Sequence, residues 1–140
     1  MASVFQKLNL KAQREIAVFN VPASFEPRLA QLMDIKILRN PKKPVAIQFA
    51  LAFATQQAEL DRLSRILAAG AEGDALLWFA YPKGSSTRYT CEFNRDTGWD
   101  VIRGCGFDSV RQVAIDEDWS ALRFRRVEYI KDSVRQGKDP

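Results

Sequence analysis

The sequence predicts a three-layer α/β sandwich in which a mainly parallel sheet ends in an antiparallel hairpin. The first observation is that short apolar or β-branched runs alternate with stretches of helical periodicity through about the first 105 residues. The second is that two strand-like runs, residues 109–115 and 121–130, flank a polar connection at 116–119. Together these patterns favour strand–helix–strand units followed by a terminal hairpin.

The chain opens with a strand and then a helix. "EIAVFNV" (15–21) is rich in β-branched residues and stops at Pro22. Ser24 is a suitable N-cap for a following helix, and Pro27 suits its first turn. The apolar face of this helix is expected to carry Leu29, Leu32 and Met33.

Two further strands follow, and the direction of the first stays open. "IKIL" (35–38) is a short apolar run, and "VAIQFALAF" (45–53) is nearly continuous, as in strands covered on both faces. If both strands run in the same direction, the polar loop 39–44 must return along the sheet in a nearly extended form, at roughly 3.3 Å per residue.

The next unit is a long helix and another buried strand. Thr55 is predicted to cap the helix, and Gly70 or Gly73 is predicted to end it. "DALLWFAY" (74–81) is the strand that follows. The helix buries a stripe made of Leu60, Leu63, Ile66 and Leu67.

A third helix is predicted before the hairpin, from Thr97 to about Cys105. Thr97 and Asp100 have the spacing of a capping box, and Gly106 suits the left-handed position after the helix.

Composition favours one globular domain, residues 1–140, with flexible ends at about 1–13 and 131–140. Hydrophobic residues make up 46% and charged residues 27% of the chain. The longest apolar run has 11 residues, which is too short for a bilayer, and the N-terminus lacks a secretory pattern. We therefore expect a cytoplasmic protein with no membrane partner, and the sequence leaves its oligomeric state open.

The residues that are missing exclude several kinds of site. With no histidine, the chain has no imidazole base and no histidine ligand for zinc. Cys91 and Cys105 are expected to be buried free thiols rather than nucleophiles. A net charge of +4 spread along the chain permits nucleic-acid binding without indicating it.

Two charged stretches near the C-terminus have ordinary explanations. Residues 116–118 are three consecutive carboxylates, but neighbours on an extended chain point to opposite sides, so a solvated turn is favoured over a metal site. Trp119 is expected to pack over the edge of the core. Arg123 and Arg125 point to one side of their strand and Arg126 to the other, so they form no single nucleic-acid stripe.

The candidate ligand site lies where the parallel strands end. Ligands of open α/β sheets bind outside the carboxyl ends of the strands, and the end at 81–86 offers an ammonium, two hydroxyls and a flexible glycine. The alternative is that Lys83 is simply solvated at a strand end. The residues expected to hold an anion are Lys83, Ser85, Ser86 and Arg88, with Asn20, Thr55 and Tyr81 lining the crevice.

Two motifs carry a resemblance to known proteins. "WFAYPK" (78–83) and "DEDWSALRF" (116–124) resemble a family of small bacterial proteins of unknown function. The order of elements over about residues 14–127 is similar to a shortened class I methyltransferase fold. The resemblance implies a three-layer Rossmann-like sandwich and, for the wider fold, an adenosyl cofactor.

The chain departs from working methyltransferases at both cofactor anchors. Such enzymes use a glycine-rich turn after the first strand and an acidic residue at the end of the second. Here "NVPASFEP" (20–27) has no glycine, and the second strand ends in Arg39 and Asn40. We therefore expect a domain without catalysis or cofactor that binds a small anionic ligand or a protein partner. The alternatives are an S-adenosylmethionine-dependent methyltransferase-like enzyme with an unusual cofactor pose, and an interaction protein with no small ligand.

Overall fold

A computed structural model describes residues 3–42 and 45–130 as one six-stranded sheet with helices on both faces. The strand order is β2-β1-β3-β4-β6-β5. The strands are β1 (Glu15–Phe19), β2 (Lys36–Arg39), β3 (Ile47–Phe53), β4 (Ala71–Pro82), β5 (Phe107–Ala114) and β6 (Trp119–Arg126). The helices are α1 (Val4–Lys7), α2 (Glu26–Leu29), α3 (Gln57–Gly70) and α4 (Asp100–Gly104), with a 3₁₀ turn at Ala23–Phe25.

The predicted fold class is confirmed, and the direction of the second strand is now fixed. β2 pairs with β1 in parallel, with Ile37 opposite Ile16, and β1, β3 and β4 are also parallel. β6 is antiparallel to both β4 and β5. The chain therefore returns from β2 to β3 without a helix, although residues 43 and 44 of this loop lie outside the described residues.

The two faces of the sheet bury separate apolar clusters. On one face, the leucines of α3 pack with Ile102 of α4 against alternate side chains of β3 and β4. On the other face, α1 and α2 cover residues such as Phe49 and Trp78. Because both faces are covered, the central strands are nearly all buried, which explains the continuous apolar runs in the sequence.

Helix α3 forms as its periodicity predicts, but Thr55 does not cap it. The N-cap is Gln56, whose side chain makes no capping bond. Glu92 Oε1 accepts the Gln57 N–H at 2.8 Å instead. The helix ends at Gly70, where a Cβ would lie 2.5 Å from the carbonyl oxygen of Val45, so only glycine fits this approach.

The helix predicted after β1 is shorter than expected, and Ser24 does not cap it. The segment makes a 3₁₀ turn and then the single turn of α2, and neither has a side-chain cap. These tight turns bury Phe25 and Leu29 in the core beside α1. Met33 lies beyond them and is 78% exposed, so its placement on a buried helix face was wrong.

The capping box predicted for the third helix is also wrong. α4 begins only at Asp100, because Asn94 Oδ1 accepts the N–H groups of Asp96 and Thr97 and holds Thr97 in a turn. Gly106 has the predicted left-handed conformation, with φ of 96°.

The two chain ends are described only in part. Residues 4–8, expected to be flexible, form α1 and its C-cap, and they bury Val4, Phe5 and Leu8. Residues 127–130 are helical rather than part of the hairpin strand, and residues 131–140 lie outside the described residues. None of the helices in the described part of the chain has the length and apolarity to cross a membrane.

Candidate functional site

The sheet reverses its strand order between β1 and β3. After β1 the chain moves outward to β2, whereas after β3 it moves the other way to β4. The connections at the carboxyl ends of β1 and β3 therefore diverge and leave a crevice between them, which is where open α/β sheets bind ligands.

This switch-point crevice has a volume of about 390 Å³. It contains Asn20 and Thr55, which sequence analysis placed there from their strand-end positions. Glu59 and Trp119 also line it. Sequence analysis did not single out Glu59, and it expected Trp119 to pack over the edge of the core. The full lining is Asn20, Phe53, Ala54, Thr55, Gln56, Glu59 and Trp119.

Asn20 makes the turn that a glycine would be expected to make. Its φ is 55°, in the left-handed region that asparagine tolerates better than other residues with a side chain. Its N–H donates to Asn40 Oδ1 at 2.8 Å, and Asn40 also has a positive φ. The chain can therefore turn sharply after β1 without glycine, which sequence analysis did not anticipate.

The side chain of Asn20 spans the crevice. Its Nδ2 donates to Glu59 Oε2 at 2.6 Å and to the carbonyl oxygen of Phe53 at 3.2 Å. These bonds join the end of β1 to the end of β3 and to α3. They also place an amide and a carboxylate side by side at the opening of the crevice.

Glu59 is held as a carboxylate. Arg62 donates to both of its oxygens at 2.9 Å, and this pairing, with a smaller contribution from Asn20, lowers the pKa of Glu59 below its usual value. A carboxyl group with a lowered pKa accepts hydrogen bonds well but takes up a proton poorly near neutral pH. Its chemistry in the crevice is that of a fixed anion.

Trp119 forms the apolar wall of the crevice. It is only 4% exposed, and its ring centroid lies 5.1 Å from that of Phe53 and 4.9 Å from that of Tyr89. Its Nε1 is buried and has no hydrogen-bond partner among the described residues. The expectation that Trp119 packs at the edge of the core is confirmed, and this edge is also the crevice.

The residues expected to hold an anion lie in a different loop, and a carboxylate already lies among them. Ser86 Oγ donates to Asp118 Oδ1 at 2.9 Å, and the Lys83 N–H donates to the Asp118 carbonyl oxygen at 2.8 Å. Arg88 Nε is 4.0 Å from Asp118 Oδ2. Ser85 is exposed and makes no such contact. An anion here would face the charge of Asp118.

The acidic turn that supplies Asp118 is organised by its own hydrogen bonds. Asp116 Oδ1 accepts the N–H groups of Asp118 and Trp119 at 2.8 and 2.9 Å. Within the described residues, no group of three or more histidine, cysteine or acidic side chains is arranged to hold a metal.

Tyr81 is not at the crevice. It is buried in the cluster under α3 and α4, where its hydroxyl accepts a hydrogen bond from Gln112 Nε2 at 3.0 Å. Burial raises the pKa of its phenol. Tyr81 is therefore placed away from the position in which it could stack on a ligand beside Asn20.

The cysteines and the basic strand complete the set of sequence candidates. Cys91 is half-buried, and burial raises the pKa of its thiol. Cys105 is exposed, so the expectation that it is buried was wrong. Arg123 and Arg125 lie on one side of β6, as predicted, and both pair with Asp74, at 3.8 and 2.7 Å. These charges are used within the molecule.

Solved structures with a similar fold include two methyltransferases and a cyclase. A SAM dependent methyltransferase from Aquifex aeolicus is 12% identical, with a TM-score of 0.61 and 87% of each chain covered. The [4+2]-cyclase SpnF is 10% identical, with a TM-score of 0.60 over 88% of this chain and 78% of that one. The N-methyltransferase NodS from Bradyrhizobium japonicum, in complex with S-adenosyl-L-homocysteine, is 10% identical, with a TM-score of 0.52 over 81% and 78%. No family model and no curated protein matches the sequence.

The chain has a shortened methyltransferase-like fold. These neighbours overturn the expectation of a non-catalytic anion-binding domain and favour the alternative, a methyltransferase-like enzyme. The expectation rested in part on treating the missing glycine as a blocked turn, whereas Asn20 supplies the left-handed conformation. At these identities the likeness is one of fold, so the activity is a matter for the proposal that follows.

Proposed function

We propose that the chain binds S-adenosylmethionine in the switch-point crevice and acts as a methyltransferase-like enzyme. The observation that carries this proposal is the position of the crevice, at the carboxyl ends of β1 and β3 where the strand order reverses. Neighbours of the same fold that are methyltransferases support it, including one that holds S-adenosyl-L-homocysteine.

The residues of the crevice suit an adenosyl ligand with a different anchor from the usual one. The end of β2 carries Arg39 in place of an acidic residue. Arg39 donates to both oxygens of Glu26 at 2.8 Å, so the Glu26 carboxylate is already paired. Glu59 offers a carboxylate from the opposite side of the crevice. Such a group accepts hydrogen bonds from ribose hydroxyls or from an ammonium group.

Four of the crevice residues have a part in this proposal. Glu59 binds the polar donors of the ligand, and Asn20 keeps that carboxylate in place through its 2.6 Å hydrogen bond. Trp119 and Phe53 exclude water and give an aromatic surface for an adenine ring. When bound, S-adenosylmethionine supplies an electrophilic methyl group.

The acid–base chemistry of the chain restricts the acceptor. There is no histidine, and Glu59 has a lowered pKa. Tyr81 and Cys91 have raised pKa values and are weak proton acceptors in their neutral forms. The proposed acceptor is therefore a small molecule whose attacking atom is nucleophilic without help from a strong protein base.

Location and partners belong to the same proposal. Cys91 and Cys105 are both free thiols, which fits a reducing cytoplasm. The small ligand is the main partner, with neither membrane nor nucleic acid involved.

Calorimetric titration with S-adenosylmethionine and S-adenosylhomocysteine tests this function. We expect both to bind, and Glu59→Gln to weaken binding by about tenfold, as for loss of one charged hydrogen-bond acceptor. Glu117→Gln is the matched control, because Glu117 is exposed in the acidic turn and does not line the crevice. No binding heat with either compound in the wild-type chain would contradict the proposal.

A further inference from the structure

A second pocket, of about 320 Å³, lies at the outer edge of the sheet against β5 and α4. Its position is three strands from β3, or roughly 14 Å at about 4.8 Å per strand, so it is separate from the switch-point crevice. Three arginines from three separate segments line it: Arg95 from the loop after β4, Arg103 from α4 and Arg111 from β5. We call it the arginine pocket.

A β-bulge builds one wall of the arginine pocket. Four consecutive residues, 109–112, line it, although side chains of a regular strand alternate between faces. The pairing of β5 with β6 shifts register between Ser109 and Arg111, which inserts Val110 as an extra residue. Bulges of this kind redirect side chains. The irregular edge thus brings Arg111 and Gln112 into the same pocket.

Two of the three arginines are held in position by hydrogen bonds, one to a carboxylate and one to a neutral amide. Arg103 Nε donates to Asp108 Oδ1 at 3.0 Å, and its guanidinium lies 5.9 Å from the centre of the Phe124 ring. Arg95 Nη1 donates to Gln112 Oε1 at 3.4 Å. The amide of Gln112 is fixed in turn by its bond to the Tyr81 hydroxyl. These contacts restrict the side chains before any ligand arrives.

The charge of the arginine pocket is not balanced within the described residues. Arg111 has no carboxylate within 4.0 Å in that part of the chain. Asp96 lines the pocket but is 80% exposed and 3.5 Å from Arg95, which is a weak pairing in water. Leu122 also lines the pocket, is 4% exposed, and has a side chain that offers no acceptor. An anion would therefore meet excess positive charge.

We propose that the arginine pocket binds the phosphate group of a small molecule. Guanidinium groups bind phosphate oxygens through paired hydrogen bonds, and three of them from separate segments can surround one group. The volume is at the lower end of the range for small-molecule sites, which is about 300–1,000 Å³. This site is independent of adenosyl binding in the switch-point crevice.

An NMR titration with inorganic phosphate, a nucleoside monophosphate and a short single-stranded oligonucleotide tests the site. We expect phosphate and the monophosphate to shift the backbone amide signals of residues 109–112. Arg111→Gln should weaken the binding of phosphate and of the monophosphate by at least about tenfold. Arg14→Gln is the matched control, because this substitution removes the same charge. Arg14 is exposed and directly precedes β1, far across the sheet from β5.

The outcomes separate the alternatives. Equal weakening by Arg111→Gln and Arg14→Gln would mean that only net charge matters and would overturn the proposal. Binding of the oligonucleotide without binding of the small phosphates would replace it with a nucleic-acid surface, and no shifts at residues 109–112 would also overturn it. Titration of Arg111→Gln with S-adenosylhomocysteine should match wild type, so each proposal can fail without the other.

Discussion

The switch-point crevice and the loop at residues 83–88 both lie where parallel strands end, yet they present opposite chemistry. The crevice exposes an amide and a carboxylate beside an aromatic wall. The loop was the more suggestive in sequence, with its lysine, serines and arginine, but Asp118 already accepts hydrogen bonds from the loop. Both regions have the same kind of position in the fold. Contacts from distant segments therefore decide which of the two strand ends can bind a ligand.

The contrast shows how a polar group can be used up before any ligand arrives. Ser86 donates to Asp118 and accepts two backbone N–H groups, so its hydroxyl has no spare capacity. Glu59 is also paired, but a carboxylate has about four acceptor positions and can bind further donors. The crevice keeps acceptor capacity that the loop lacks.

The largest expected difference between the two regions is in stability. Trp119→Ala should lower the free energy of unfolding by about 3–5 kcal/mol, since the ring is buried against Phe53 and Tyr89. Lys83→Ala is the control and should change it by less than about 0.5 kcal/mol. Urea denaturation measures both. Similar losses in the two variants would show that the crevice wall is not a special part of the core.

The turn after β1 can be tested with two substitutions at one position. Asn20→Ala and Asn20→Gly remove the same hydrogen bonds to Glu59 and Phe53. Because φ is 55° there, the alanine variant should be less stable than the glycine variant by about 1–2 kcal/mol. The comparison uses chemical denaturation. Equal stabilities would mean that the chain does not hold the left-handed turn.

The loop should respond to a small deletion without affecting the crevice. Ser86→Ala removes the bond to Asp118 and should cost about 1 kcal/mol of stability. Its affinity for S-adenosylhomocysteine should equal that of wild type in calorimetry. Weakened adenosyl binding in this variant would mean that the loop and the crevice belong to one site.

The smallest effect concerns pH. The pKa of Glu59 is lowered in the folded chain, so its contribution to stability is present above its usual pKa of 4.5 and is lost as the pH falls through the lowered value. Glu59→Gln should therefore flatten the fall in stability below about pH 4.5, by less than about 1 kcal/mol because the pair with Arg62 is partly solvated. Thermal melts from pH 3 to 6 would measure it, and an unchanged slope would argue against the pairing.

The sequence predicted what depends on nearby residues and missed what depends on distant ones. The apolar run of β3 and the leucine stripe of α3 are properties of one segment, and both elements formed as predicted. Ser24 and Thr97 failed as caps because buried side chains and Asn94 fixed the local turns. The Asp118 contact joins residues 32 positions apart, so no local pattern could have revealed it.

A co-crystal structure with S-adenosylhomocysteine would show whether the switch-point crevice is the adenosyl site. We expect the ligand to lie in this crevice, with a hydroxyl or ammonium group within hydrogen-bond distance of Glu59 and an aromatic contact to Trp119 or Phe53. A ligand bound instead at residues 83–88, or in the arginine pocket, would contradict it.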